Sequence, residues 1–219
     1  MKRALVIGAT GGIGGAVARE LDAQGAEVTG RSRADGLDVT DEESVARNLG
    51  DLDGPFDLIF VATGALTNTR GAPEKSLRDL GAEEVLAQMA LNAVGPALVL
   101  KHALRLLPRD RRSVFAALSA RVGSIGDNRL GGWYSYRASK AALNALIHGA
   151  SIEVARSHRH AVLACLHPGT VSTAFTGGFP DHDKVSPEIA ARNLLDVCAG
   201  LTPAQSGGFF DYAGREVVW

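Results

Sequence analysis

Lys2-Arg3-Ala4-Leu5-Val6-Ile7-Gly8-Ala9-Thr10-Gly11-Gly12-Ile13-Gly14 is the stretch that decides the fold. Ala4 to Ile7 is a short apolar run of the kind that fills a buried parallel strand. A glycine-rich turn follows at once, and Ala16-Val17-Ala18-Arg19-Glu20-Leu21 behind it reads as helix. Strand, glycine turn and helix start together make a phosphate cradle. The glycines let backbone approach a pyrophosphate, and the helix N-terminus offers free amides and positive dipole charge. The spacing is Gly8-x-x-x-Gly12-x-Gly14 rather than Gly-x-Gly-x-x-Gly. A tight turn would account for the glycines alone; the strand before and the helix after favour the cradle.

Beyond that turn the chain alternates strands and helices. This argues for one α/β domain: a doubly wound Rossmann fold with a mostly parallel sheet of about seven strands and helices on both faces. Strands are expected near 3–8, 26–30, 57–62, 112–118 and 161–166, with a short one at 36–39 and a last one at 208–211. Helices are expected near 13–24, 41–48, 82–106, 137–156 and 186–199. The segments 71–75 and 175–185 read as loops, the second placed to close over a substrate. A length of 219 residues with 46% hydrophobic content suits a single core.

Composition narrows the function. A formal net charge of −1 gives no reason to expect nucleic acid or an acidic membrane surface. Cys165 and Cys198, both in apolar segments, read as buried thiols of a reducing compartment. The six histidines form no Cys/His cluster at ligand spacing, so no metal site is expected. No apolar run approaches the roughly 20 residues of a membrane span, and the first strand begins at once without a signal peptide. A cytoplasmic protein is the expectation.

A second constellation is Tyr136-Arg137-Ala138-Ser139-Lys140, leading into the helical run Ala141-Ala142-Leu143-Asn144-Ala145-Leu146-Ile147. Positions i and i+4 share a helix face, which sets an ammonium beside a phenol. A nearby cation should lower a tyrosine pKa that starts near about 10, making Tyr136 a proton donor and acceptor at neutral pH. Tyr-x-x-x-Lys alone is also what a surface pair on an amphipathic helix looks like.

Taken together, the glycine turn and Tyr136/Lys140 resemble the short-chain dehydrogenase/reductase family, along nearly the whole chain. Asp57-Leu58-Ile59-Phe60-Val61-Ala62-Thr63-Gly64 looks like the family's fourth strand and its Asn-Ala-Gly turn. Leu91-Asn92-Ala93-Val94-Gly95-Pro96 looks like the helix bearing the family asparagine, and Ser113-Val114-Phe115-Ala116-Ala117-Leu118-Ser119 like the strand ending in the active-site serine. His167-Pro168-Gly169-Thr170-Val171-Ser172-Thr173 looks like the turn covering the nicotinamide. The run Gly123 to Asn128 and the end of the chain from Gly207 look like the C-factor-like carbonyl-reductase branch.

The resemblance implies a carbonyl/alcohol oxidoreductase. Tyr136 would exchange the proton, Lys140 would tune it and bond the nicotinamide ribose, Asn92 would hold a water reaching Lys140, and a serine would polarise the carbonyl. The cofactor would lie along Gly8, Thr10, Gly11, Gly12, Ile13 and Gly14, along Ala62, Thr63 and Gly64, and along Pro168, Gly169, Val171 and Thr173, with Asp38 and Val39 at the adenine. An acidic residue closing the second strand would bond a ribose hydroxyl. Gly30 stands there instead, followed by Arg31, with Arg33 close by. A guanidinium favours a 2′-phosphate, so NADP(H) is expected over NAD(H).

Two departures from the family pattern stand out. Family members place a helix between the second and third strands, whereas here Gly30 reaches Leu37-Asp38-Val39 through a tight turn over residues 32–36, so that helix is expected to be missing. The serine strand ends Leu118-Ser119-Ala120-Arg121, not Ser-Ser. Aligned on Gly123, the catalytic position is Ala120; aligned on the strand, it is Ser119. Ser119 is the favoured donor, Ser124 the second choice, and neither is the third reading. An NAD(P)-binding sensor or signalling protein with little turnover is the rival function. A sugar-nucleotide epimerase or dehydratase is disfavoured by the short stretch after Thr173. The small-residue face of 141–155 suits a homodimer or homotetramer, though packing within the chain explains it too.

Overall fold

Alternation along each strand divides the core in two. Leu5 and Ile7 of β1 (Arg3–Ile7) join one apolar cluster, and Ala4 and Val6 join the other. The same split runs through β3 (Leu58–Val61), β4 (Ser113–Leu118) and β5 (Ala161–His167). Period-two side chains in a sheet covered on both faces produce this pattern. One cluster takes Val45 and Leu49 from α2 (Glu42–Gly50), Val99 from α4 (Gly95–Ala103), and Leu143 and Ile147 from α5 (Tyr134–Val154). The other takes Val17 and Leu21 from α1 (Gly12–Ala23), and Leu194 and Cys198 from α6 (Pro187–Gly200).

The computed structural model describes residues 1–173, 175 and 183–219. Most of the expected loop 175–185 therefore lies outside the described residues. Six strands pair in the order β2-β1-β3-β4-β5-β6, every neighbour parallel, with β2 at Glu27–Arg31 and β6 at Phe209–Asp211. The chain leaves β1 toward β2 on one side and resumes with β3 on the other. This opens the crevice at the strand C-termini where ligands of such sheets bind.

The helix expected to be missing between strands is indeed replaced, by one 3-10 turn at Arg33–Asp35 closed by Gly36 at φ 78°. The short strand expected at 36–39, however, does not form, so the described sheet has six strands rather than about seven. Its amides are taken: Leu37 N donates to Ser32 O (3.0 Å) and Asp38 N to Ser44 Oγ (3.0 Å). Leu37 plugs the core instead of joining a ladder, and β2 is left as the sheet edge.

The helix expected over 82–106 is continuous but not uniform. It runs as α3 (Ala82–Met89), a wide π turn at Ala90–Val94, α4, and a closing 3-10 turn at Leu104–Leu106. Pro96 has no N–H, so the Asn92 carbonyl loses its α-helical donor and the frame widens, with Gly95 N bonded to Ala90 O. Asn92 sits inside that widened turn.

Candidate active site

Gly8 turns the chain at φ 85° and donates its N–H to Arg31 O at the end of β2 (2.8 Å). Helix α1 then packs directly on the turn. A β-carbon at Gly14 would lie 2.2 Å from Gly8 O, and one at Gly12 would lie 2.6 Å from the Thr173 methyl. The helix starts at an N-cap Gly11 that makes no side-chain cap, and its first turn holds no acidic residue. Its dipole charge therefore faces a cavity of about 630 Å³ at the strand C-termini.

Gly11, Gly12, Ile13, Ala62, Thr63, Gly64, Pro168, Gly169, Val171 and Thr173 all line this cavity, as do Ser119, Tyr136 and Lys140. Gly8, Thr10 and Gly14 shape the turn behind it. Arg31 ends β2 beside the turn, its guanidinium donating to Gly30 O (2.9 Å). Asp38 is held by Thr40, whose N–H and hydroxyl both donate to its carboxylate (2.9 and 2.7 Å). Val39 is buried where α4 crosses close, with Gly95 against it.

Lys140 is 3% exposed, and its Nζ donates to Leu118 O at the end of β4 (2.8 Å). That Nζ lies 5.8 Å from the centroid of the Tyr136 ring. Two glycines admit this lysine. A β-carbon at Gly123 would lie 2.8 Å from Lys140 backbone, and one at Gly64 would lie 3.4 Å from Nζ and 3.0 Å from Asn92 Oδ1. Asn92 itself is fully buried outside the cavity. Its amide pairs with the backbone of Ala65, accepting from Ala65 N (3.0 Å) and donating to Ala65 O (2.9 Å), which fixes the Gly64 turn beside Lys140.

The electrostatics correct one expectation. Burial pushes the Tyr136 phenol above its ordinary value, where proximity of Lys140 should have lowered it. The lysine charge is aimed at the Leu118 carbonyl rather than at the phenol, so desolvation wins. Burial also pushes Lys140 down to about 8, opposed by Cys165. His167, on the cavity wall, is pushed down to about 4 by burial and Arg121, so its ring is neutral at pH 7.

Both candidate serines are already hydrogen-bonded, in opposite senses. Ser119 lies on the cavity wall, but its Oγ donates to Asn144 Oδ1 (2.7 Å). Ser124 is buried and accepts from Asp127 N (3.0 Å). Ala120 lines the cavity with a methyl group. Trp133 also lines it; it is held at φ 52° by its N–H to Glu74 O (2.6 Å), with its ring edge-on to Tyr136 at 6.3 Å. Arg121 and Val122 join the wall from the turn directly after the serine segment, and Pro187 joins it from the start of α6, a segment that carried no motif.

The residues present fit a dinucleotide. The cradle excludes side chains where a pyrophosphate would approach, the helix dipole is unopposed, and Thr63 Oγ1 is buried at the cavity wall with no protein partner. Among the described residues no His/Cys/Asp/Glu group could hold a metal, and no helix is long and apolar enough to cross a membrane. Cys165 and Cys198 are buried free thiols.

Comparisons with known proteins agree with this geometry. Residues 30–205 match the family model described as enoyl-(acyl carrier protein) reductase. The chain is 32% identical to 1-hydroxy-2-glutathionyl-2-methyl-3-butene dehydrogenase of Rhodococcus sp. (strain AD45), over 100% of both chains. It is 38% identical to C-signal of Myxococcus xanthus, over 66% of this chain and 84% of that one. Among solved structures it is similar to a Burkholderia multivorans protein assigned to the short-chain dehydrogenases/reductases and solved with bound NADP. That match has 27% identity and a TM-score of 0.84, covering 100% of this chain and 99% of that one. The NADPH-bound carbonyl reductase from chicken fatty liver, at 23% identity and TM-score 0.84 over 100% and 99% of the two chains, shares the fold. On sequence, sheet order and site together, the chain belongs to the short-chain dehydrogenase/reductase family of oxidoreductases.

Proposed function

We propose that this protein interconverts a carbonyl and an alcohol with NADP(H), in one soluble, cytoplasmic domain. The observation that carries the reading is the meeting of Tyr136 and Lys140 with the glycine cradle in one cavity. The nicotinamide supplies or accepts the hydride when bound. The chain's own residues do the rest. Tyr136 gives its phenolic proton to the carbonyl oxygen in the reductive direction, and the burial that raises its pKa keeps it protonated until needed. Lys140, titrating near working pH, shares protons with Tyr136 and holds the nicotinamide ribose. Asn92 holds a water that reaches Lys140. Ser119 polarises the carbonyl by exchanging its bond to Asn144 for one to substrate.

NADP(H) is favoured because no acidic residue ends β2 and Arg31 stands beside the turn; the Burkholderia neighbour solved with NADP supports the same choice. Arg31→Ala is expected to raise KM for NADPH about tenfold and leave NADH nearly unchanged, as loss of one charge-assisted phosphate contact predicts. Leu86, Leu146 and Ile152 are exposed on α3 and α5, which supports association as a homodimer or homotetramer.

The test is NADPH oxidation at 340 nm against aldehydes, ketones and quinones. Tyr136→Phe should lower kcat by roughly 10²–10⁴-fold with cofactor binding retained, and Ser119→Ala by roughly 10²-fold. The rival reading, an NAD(P)-binding sensor with little turnover, draws on the Ser119–Asn144 bond and on Ala120 beside it. Tight cofactor binding without turnover across the panel would put that reading ahead.

A further inference from the structure

A buried polar ladder enters the reaction centre from the far side of Asn92. Glu84, Gln88 and Asn92 are 4%, 0% and 0% exposed and follow at i, i+4 and i+8 along one helix stripe. Gln88 Nε2 donates to Glu84 Oε1 (2.9 Å), and Asn92 Nδ2 donates to Gln88 Oε1. Asn92 Nδ2 also reaches Ser139 Oγ (3.2 Å), which donates to the Tyr136 carbonyl (2.8 Å). At the other end, Asn68 N (2.9 Å), Thr69 N (2.6 Å) and Thr69 Oγ1 (2.8 Å) all donate to the Glu84 carboxylate.

Direction along this ladder is not free. A side-chain amide has a donor end and an acceptor end, and either can face either neighbour. An ionised carboxylate only accepts. Glu84 therefore forces the Gln88 NH₂ toward itself and the Gln88 oxygen toward Asn92. That oxygen in turn draws the Asn92 NH₂, leaving Asn92 Oδ1 for Ala65 N, beside Gly64 and Lys140. Burial opposes ionisation of Glu84, but the bonds from Thr69, Gln88 and Asn68 outweigh it and hold its pKa below the ordinary value.

We propose that Glu84 is a positioning residue for the reaction: its acceptor-only carboxylate sets the direction of the Gln88 and Asn92 amides, and through them the Gly64–Ala65 turn and the backbone carrying Tyr136. The proposal rests on the carbonyl/alcohol reading for its kinetic arm, and on that arm alone.

The experiment compares wild type with Glu84→Gln, Gln88→Met and the exchange Glu84→Gln/Gln88→Glu. The exchange keeps the same atoms in the ladder and moves the acceptor-only group one rung nearer Asn92, so it still orients that amide. Glu84→Gln and Gln88→Met should each lower kcat about tenfold or more, the cost of a small misplacement at the reacting centre, with KM for NADPH and carbonyl within about twofold. The exchange should recover most of the loss. Wild-type kcat in Glu84→Gln, or an exchange no faster than Glu84→Gln, overturns the proposal. If Glu84→Gln does not fold, Gln88→Met against the exchange carries the same comparison.

The second readout needs no turnover. The Asn92 side-chain amide protons, followed by ¹⁵N NMR, should exchange slowly in wild type, faster in Glu84→Gln and slowly again in the exchange. Unchanged protection in Glu84→Gln overturns the proposal. A wild type that binds NADPH without turnover removes the reductase reading, while the amide signals still decide the ladder.

Discussion

An ammonium buried to 3% exposure is out of place unless it is used, and Lys140 is that group. Its pKa of about 8 lies well below the ordinary lysine value near 10.4. The unfolded chain therefore holds this proton more tightly than the fold does. Below about pH 8 the fold carries the full penalty, on the order of a few kcal/mol, and the penalty lifts as pH rises toward the unfolded value. Lys140→Met is expected to raise the stability of the cofactor-free protein at pH 7. Its advantage over wild type in urea midpoint should shrink between pH 8 and 10. Cys165 and Cys198, both pushed up to about 12, lower stability from about pH 9 in wild type and variant alike, which is why the difference is the quantity to follow. An advantage that stays constant with pH would mean that packing, not charge, sets the effect.

At the scale of elements, the unit that matters is β1, the glycine turn and α1. The helix can lie on the turn only because Gly14 has no side chain; the nearest obstacle, Gly8 O, is backbone and cannot swing away. Gly14→Ala should cost about 1–3 kcal/mol in urea unfolding, as overpacking a tight contact does, and weaken NADPH binding by fluorescence titration. Gly12→Ala meets only the Thr173 side chain, which can rotate, so its stability loss should be smaller. The π turn is the second such unit. Pro96 explains why a helix that reads as regular from 82 to 106 opens at Asn92.

Across the whole molecule, one carboxylate ties the strand starts together and another fixes the turn after the last strand. Asp57 accepts from Lys2 N (2.7 Å) and Arg3 N (3.2 Å) and pairs with Arg111, joining the starts of β1, β3 and β4. Asp211 closes the turn after β6, accepting from Ala213 N (2.9 Å) and Arg215 N (3.1 Å) and pairing with the Arg215 guanidinium. Burial opposes ionisation of both, and these bonds outweigh it, so both titrate below the ordinary range. Their contribution is present above the unfolded value near about 3.9 and is lost as pH falls through the folded one. Asp57→Asn and Asp211→Asn should each lower Tm at pH 7 and flatten the fall of Tm between pH 5 and 3. A fall as steep as in wild type would show that other groups govern acid unfolding.

The sequence by itself determined the layered α/β architecture, all six strands to within about a residue, the tight turn over 32–36 in place of a helix, and the shared helix face of Tyr136 and Lys140. Those are local matters: side-chain period, glycine placement and i, i+4 spacing act within a few residues. Tertiary structure decided the rest. Residues 36–39 have strand-like composition, yet Ser32 and Ser44 take their amides. Lys140 lies near Tyr136 as the spacing required, but the end of β4 captures its charge and burial sets both pKa values. Ser119 reaches the cavity, and Asn144, 25 residues on in α5, accepts its hydroxyl hydrogen bond. The Glu84–Gln88–Asn92 spacing was there to read as a polar stripe on a buried helix face. What made it a ladder was the loop at Asn68 and Thr69 folding back upon it, a contact between segments that no local pattern encodes.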